Sequence, residues 1–170
     1  MSAASTRTER YDSSRHDASG FDCGNEVLDR WLARYAGQSD RRDAARTFVI
    51  TDAGAVIGYY TLLAGELAHD KGTAQARQGM SRYYPIPVAI LARLAVDHRY
   101  QDRGVGAALL RDALQRVAAA SAELAIRAVV VHAIDERAAL FYKHFGFRSL
   151  SATPRTLMVT LAELRAAGYA

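Results

Sequence analysis

The sequence predicts an α/β domain built on a mixed sheet with helices on its faces. Three observations carry that reading. Two runs, residues 88–96 and 128–134, are almost wholly apolar, as strands covered on both faces are. Between them lies an amphipathic segment, Val105–Ala120, so a right-handed parallel β-α-β crossover joins the two strands. Helix-like and strand-like patterns alternate along the rest of the chain, which sets helices against a sheet.

The elements follow in order. Asp22 or Asn25 caps a first helix, on which Val27, Leu28, Trp31, Leu32 and Tyr35 recur at three- and four-residue spacing. Residues 37–46 are polar and carry Arg41, Arg42 and Arg46. Residues 47–51 are β-branched and aromatic, Asp52-Ala53-Gly54 makes a turn, and residues 55–62 return as the hairpin partner. Residues 69–84 are irregular; so long a connection in a small domain is often functional. Pro85-Ile86-Pro87 bounds the strand over 88–96, which Arg93 interrupts. Leu109, Leu110, Ala113, Leu114 and Val117 form the inner face of the helix over Val105–Ala120, with Arg111, Asp112, Gln115 and Arg116 mostly away from it. After the strand over 128–134, residues 135–144 form a helix that Gly146 stops, and a last strand runs from about 156 to 161.

Length and composition narrow the function classes. The chain has 170 residues, enough for one domain, and no linker or repeat divides it. Residues 1–17 are polar and read as a flexible lead-in, leaving 18–170 as the domain. The polar start lacks the apolar stretch of a secretory signal, and no apolar run approaches the ~20 residues of a membrane helix. Cys23 is the single cysteine, which excludes an internal disulfide, suits a reducing cytoplasm and reads as a structural thiol. No metal-ligand set is expected. Net charge is +4, and only Lys71 and Lys143 among the 22 basic residues are lysines. An arginine-rich positive balance permits a polyanionic partner such as RNA without demanding one.

The segment Gln101-Asp102-Arg103-Gly104-Val105-Gly106-Ala107 carries the sharpest chemical signal. It joins a buried strand to the start of an amphipathic helix. Glycines there allow positive φ and leave room for a ligand against the backbone. The free amides and the dipole at the helix start form an anion site suited to a pyrophosphate, and Arg103 adds a charged donor. No Gly-Lys-Ser/Thr follows, so this is not a P-loop, and a dinucleotide fingerprint lacks its third glycine.

Gln101-x-x-Gly104-x-Gly106 resembles the pyrophosphate loop of the GNAT superfamily of acetyltransferases, as do the preceding strand (Leu91 to Asp97) and Ala138-x-x-Phe141-Tyr142-x-x-x-Gly146-Phe147. The likeness runs from about Phe21 to Leu161. Ala45-Arg46-Thr47-Phe48-Val49, Gly58-Tyr59-Tyr60, Pro85-Ile86-Pro87-Val88 and Val131-His132-Ala133 resemble, more narrowly, the GNAT toxins of toxin–antitoxin pairs. That resemblance implies a GNAT fold, with a mixed, mostly antiparallel twisted sheet flanked by helices. It implies a cytoplasmic enzyme that uses acetyl-CoA to acetylate the α-amine of aminoacyl-tRNA and so blocks translation. It implies a ribbon-helix-helix antitoxin as partner, repression at operator DNA through that antitoxin, and a homodimer.

The resemblance also distributes roles. Backbone groups along Leu94, Ala95 and Val96 would pair with the pantetheine arm, and Gln101, Asp102, Arg103, Gly104, Val105, Gly106 and Ala107 would hold the pyrophosphate. Tyr142 would be the general acid that protonates the departing CoA thiolate; a phenol, with an ordinary pKa of ~10, keeps its proton at neutral pH. Where many acetyltransferases carry a glutamate on the strand before the loop, this chain has Arg93, with no carboxylate until Asp97. An α-amine (pKa ~7.7–8.0) needs less help losing a proton than a lysine (~10.4), so the missing base favours an α-amine acceptor. His132 is a candidate base. Arg41, Arg42, Arg46, Arg77, Arg82 and Arg93 are candidates for RNA phosphate contacts, with no aromatic platform for single strands standing out. Asp135 caps the helix after it and is not assigned to the cofactor. Two other readings stay open: acetylation of a small-molecule or protein amine, and a non-catalytic anion- or CoA-binding module of a DNA-bound repressor complex.

Overall fold

The computed structural model describes residues 7–170. The β-branched and apolar runs become strands β1 (Glu9–Arg10), β2 (Arg46–Asp52), β3 (Ala55–Leu67), β4 (Ile86–Val96), β5 (Ala128–His132), β6 (Arg148–Ser149) and β7 (Thr156–Thr160). The helices are α1 (Glu26–Arg34), α2 (Ala36–Arg41), α3 (Ala74–Arg77), α4 (Val105–Ala120), α5 (Glu136–His144) and α6 (Leu161–Ala166). The strands form one mixed sheet in the order β1-β2-β3-β4-β5-β7-β6. β4 and β5 pair parallel, as the crossover through α4 requires, while β1–β2, β2–β3, β5–β7 and β6–β7 pair antiparallel. No helix of the described residues is long and apolar enough to cross a membrane.

By packing, the described residues divide into two compact halves, one of residues 7–63 with 92–113, the other of 64–91 with 114–170. In the first half, β2 and β3 are joined through Ala53 and Gly54, both at positive φ (48° and 85°), the conformation a two-residue hairpin loop needs to match strand twist. Its core gathers Phe21, Leu32, Ala36, Val49, Val56, Tyr59 and Ala95. The Tyr59 ring stacks on Trp31, and its hydroxyl donates to the Leu28 carbonyl at 2.7 Å, so a buried phenol fixes α1 on the sheet. The apolar stripe expected on α1 is narrower than its spacing suggests. Val27 and Tyr35 are exposed, because Val27 lies on the outer flank and the helix ends at Arg34.

Residues 7–17, read above as a flexible lead-in, make defined contacts in the structure; residues 1–6 lie outside the described residues. Glu9 and Arg10 pair with Val49 and Phe48 as β1, and Asp17 bridges to Ala55. Thr8 Oγ1 donates to the Asp112 carboxylate at 2.6 Å, and Arg10 pairs with Asp40. His16 is buried; its Nδ1 accepts the Asp12 amide, so the ring donates from Nε2 to Glu9 at 3.0 Å. Thr8 and His16 are buried, while Glu9 and Arg10 remain exposed.

In the second half, β4 runs beside β5 over Val88–Leu91 and Ala128–Val131, and β5 beside β7 from Ala128↔Thr160 to His132↔Thr156. Its core gathers Ala76, Ile86, Val88, Ala128, Val130, Leu150 and Met158. The irregular stretch 69–84 holds a 3-10 turn (His69–Lys71) and the short α3. α6 begins with a reciprocal cap in which Thr160 and Glu163 satisfy each other's backbone amides.

The start of α4 rests on β3 at Gly58. A Cβ there would lie 2.9 Å from Leu109 Cδ1 and 3.3 Å from Val105 Cγ1, and Leu109 is fully buried. Gly58→Ala should overpack this contact and lower stability by ~1–3 kcal/mol, read as a fall in the urea midpoint with an unchanged slope.

Candidate active site

In the first half, β4 delivers the chain into the glycine loop. The parallel ladder with β5 is formed over Val88–Leu91, while β4 itself runs on to Val96, through the Leu94, Ala95 and Val96 predicted to meet a ligand. Ala95 faces the core, and Leu94 and Val96 are half-buried. A 3-10 turn, His98–Tyr100, follows, then the loop, then α4 from Val105.

One carboxylate organises this passage. Asp97 has no exposed surface. It accepts the Asp22 amide (3.1 Å), the Arg99 amide (3.0 Å) and the Arg99 guanidinium (2.9 and 3.2 Å). Its own amide donates to the Ile57 carbonyl at 2.8 Å. Burial alone would raise its pKa; the Arg99 side chain and the amides of Arg99 and Asp22 outweigh it and hold the carboxyl at about 2. His98 binds the Asp22 carbonyl through both its amide (2.8 Å) and Nδ1 (2.9 Å). Tyr100 donates to Asp52 at 2.7 Å, and Arg103 lies over the Tyr100 ring at 5.6 Å.

Within the loop, Asp102 and Gly104 take positive φ, 60° and 81°. Aspartate tolerates that region and glycine favours it, so the chain turns sharply into the helix. The first amides of α4 have no acceptor inside the helix and carry its positive pole. Gln101, Asp102, Arg103 and Gly104 are exposed; Val105, Gly106 and Ala107 are half-buried. This donor set, with the Arg103 cation beside it, fits a diphosphate. The Gln101 side chain, expected at the ligand, spans the Val96 carbonyl (2.9 Å) and the Cys23 carbonyl (3.1 Å), bracing the end of β4. The Cys23 thiol is pushed up to about 12, first by burial, and is no nucleophile at neutral pH.

Arg93 reaches from β4 to lie over the Trp31 ring at 3.9 Å. Among the described residues it has no carboxylate partner, and burial lowers its pKa from the ordinary arginine value. Arg41 and Arg42 are exposed at the end of α2, whereas Arg46 is engaged by Asp43 and Asp40.

In the second half, Tyr142 lies on α5 and is 8% exposed. Phe141 and Phe147 meet its ring edge-on at 5.3 and 5.6 Å. Burial pushes its phenol up to about 12. Among the described residues its hydroxyl has no hydrogen-bond partner, which leaves the proton available to a bound group. His132 is exposed at the end of β5, with Nδ1 3.0 Å from Thr156 Oγ1. Asp135 caps α5 through the Ala138 amide at 2.8 Å, as expected. Arg77 and Arg82 are exposed.

Residues 43–149 match the family described as acetyltransferase (GNAT) domain. The chain belongs to the GNAT acetyltransferase family. A tRNA-acetylating toxin of Mycobacterium tuberculosis (strain ATCC 25618 / H37Rv) is 37% identical over 150 residues, covering 88% of this chain and 89% of the relative. Among solved structures, AtaT complexed with acetyl-methionyl-tRNAfMet matches with a TM-score of 0.86 and 28% identity, over 95% of this chain and 98% of that one. A tyrosine-to-phenylalanine mutant of AtaT, bound to the C-terminus of the antitoxin AtaR and acetyl-CoA, matches with a TM-score of 0.80 and 27% identity, over 95% and 97%. The GNAT resemblance read from the loop and strand motifs is borne out, as is the mixed sheet with helices.

Sequence reasoning missed the role of Asp97 in this GNAT chain. The signal is present as Asp97-His98-Arg99 immediately before the loop, a short acid followed by an amide and a cation it can bind. Because its folded pKa is depressed below the unfolded value near 4, Asp97 adds stability above about pH 4 that is lost as pH falls toward 2. Asp97→Asn should cost roughly 1–2 kcal/mol at pH 7, after allowance for solvent screening, and much less at pH 2.5. Urea midpoints of both proteins across that range check this; a constant gap would count against the carboxylate's role.

Proposed function

We propose that this protein transfers the acetyl group of acetyl-CoA to the α-amine of aminoacyl-tRNA and arrests translation as the toxin of a toxin–antitoxin pair. The observation that carries the reading is the Gln101–Ala107 loop, reached from β4 through one 3-10 turn and entering the free amides of a sixteen-residue helix. Family membership and the 37%-identical tRNA-acetylating relative support it. In this reading the backbone of Leu94, Ala95 and Val96 meets the pantetheine amides as an added strand would. The loop amides of residues 103–107 and the Arg103 guanidinium hold the diphosphate, while Gln101 and Asp102 keep the loop in shape.

Acetyl-CoA supplies the activated acyl group as a thioester. Tyr142 holds a proton on its hydroxyl and gives it to the sulfur as the carbon–sulfur bond breaks and the amine–carbon bond forms; the amine's surplus proton passes to water, and water returns a proton to the phenolate. Burial keeps that phenol protonated throughout the neutral and mildly alkaline range. Arg93, standing where a carboxylate base would serve a lysine acceptor, suits an α-amine that is already partly neutral. The exposed Arg41, Arg42, Arg77 and Arg82 are available to RNA phosphates. The remaining parts of the reading are a homodimer in the cytoplasm and a small ribbon-helix-helix antitoxin, which brings the complex to operator DNA.

Purified protein with labelled acetyl-CoA and charged tRNA should place label on the aminoacyl α-amine, read by mass spectrometry. Label on a polyamine or a protein, with none on charged tRNA, defeats the proposal. Tyr142→Phe should lower kcat by ~10²–10⁴-fold and relieve growth arrest on expression. For the wild type, kcat/KM should rise with pH to a plateau above about 8, as the α-amine loses its proton, and should show no loss attributable to the phenol below about pH 10.

A further inference from the structure

The connection preceding β4 carries a feature that neither the loop nor Tyr142 accounts for. Glu66, residues 68–70 and residues 82–85 line an open cavity of about 630 Å³, within the range of small-ligand sites. Tyr83 and Tyr84 stand at it, 78% and 70% exposed, adjacent aromatic side chains that the protein leaves to solvent. The Arg82 guanidinium lies 5.1 Å from the centre of the Tyr83 ring and donates to its hydroxyl at 3.0 Å. That pairing holds the ring beside a fixed cation. Opposite in chemistry are Glu66 and Asp70, which also line the cavity. His69 completes it, and its Nε2 is buried with no hydrogen-bond partner.

These parts suit a flat ligand with a polar edge. An aromatic face offers stacking to any base, and an arginine beside it offers charge to the flanking phosphate. Carboxylates accept from the ring N–H and exocyclic amine groups of a base. An apolar peptide side chain would find little here: apart from the tyrosine rings, only Ala68 and Pro85 are apolar in the lining. A free phosphate would meet two carboxylates. We infer that the Tyr83–Tyr84 cavity takes an unpaired nucleobase of the RNA substrate, stacked on a tyrosine ring, with Glu66 and Asp70 reading its edge. The inference rests on the tRNA reading above and adds a base-binding subsite to it.

Two measurements test it. In the first, steady-state acetylation of charged tRNA is compared for wild type, Tyr83→Ala/Tyr84→Ala and Tyr83→Phe/Tyr84→Phe. The alanine pair should raise KM for charged tRNA at least ~fivefold, with kcat and the acetyl-CoA KM within about twofold, since stacking contributes ~1–3 kcal/mol per base. The phenylalanine pair, which keeps both rings, should stay close to wild type. In the second, RNA minihelices with a single-stranded 3′ tail carry 2-aminopurine at each tail position in turn. One position should be quenched on binding to wild type and to the phenylalanine pair, and not to the alanine pair. The quench reads stacking whether or not acetyl is transferred, so it separates this inference from failure of the acetylation reading. Unchanged KM and unchanged quench in the alanine pair would overturn it. So would an equal loss in the phenylalanine pair, or a loss confined to antitoxin binding.

Discussion

The grip on the Asp97 carboxylate is the constraint on which the proposed cofactor site depends. A charged group without exposed surface is tolerated only when its oxygens are matched, and here two amides and a guanidinium match them. The three donors come from two stretches of chain, around Asp22 and around Arg99. The carboxylate thereby fixes the direction in which the chain leaves β4, and with it the position of the glycine turn. Gln101 adds a second brace by bridging the Val96 and Cys23 carbonyls. The turn itself supplies little stabilisation; its surroundings hold it in a conformation that an isolated peptide would not keep.

Polar anchoring recurs around this half of the fold. The Tyr59 hydroxyl ties α1 to the sheet through a carbonyl, the Tyr60 hydroxyl reaches Asp112 on α4 at 2.5 Å, and Tyr100 reaches Asp52. Each phenol contributes an apolar body to packing and one directed bond at its end. Tyr142 has the same apolar setting and lacks the bond. A buried hydroxyl left without such a bond supports the acid role proposed for Tyr142.

Much of the fold was legible in the sequence. The boundaries of α4 and the buried positions Leu109, Leu110, Ala113, Leu114 and Val117 follow from helical spacing, and the parallel β4–β5 pair follows from two apolar runs with a helix between them. The glycine loop stood out through its Gln101-x-x-Gly104-x-Gly106 spacing, which matches the GNAT pattern, and not through its glycines alone. α2 was hidden because residues 37–46 show no apolar stripe, its one buried residue being Ala36. α6 was overlooked although Thr160 and Glu163 spell its cap. The Tyr83–Tyr84 cavity was opaque for a different reason: its meaning lies in exposure, which residue spacing does not encode, whereas Asp97 was legible through Arg99 two residues on and hidden only in its bond to the Asp22 amide.

The ordered N-terminal stretch has a practical corollary. Glu9 and Arg10 close part of the outer edge of β2, and His16 fills a place against them. A truncation beginning at the predicted domain start, Ala18, would bare that edge and strip partners from Asp40 and Asp112. Unpaired strand edges recruit other chains, so a shortened protein would tend to self-associate and be lost during purification, and its inactivity would say nothing about catalysis.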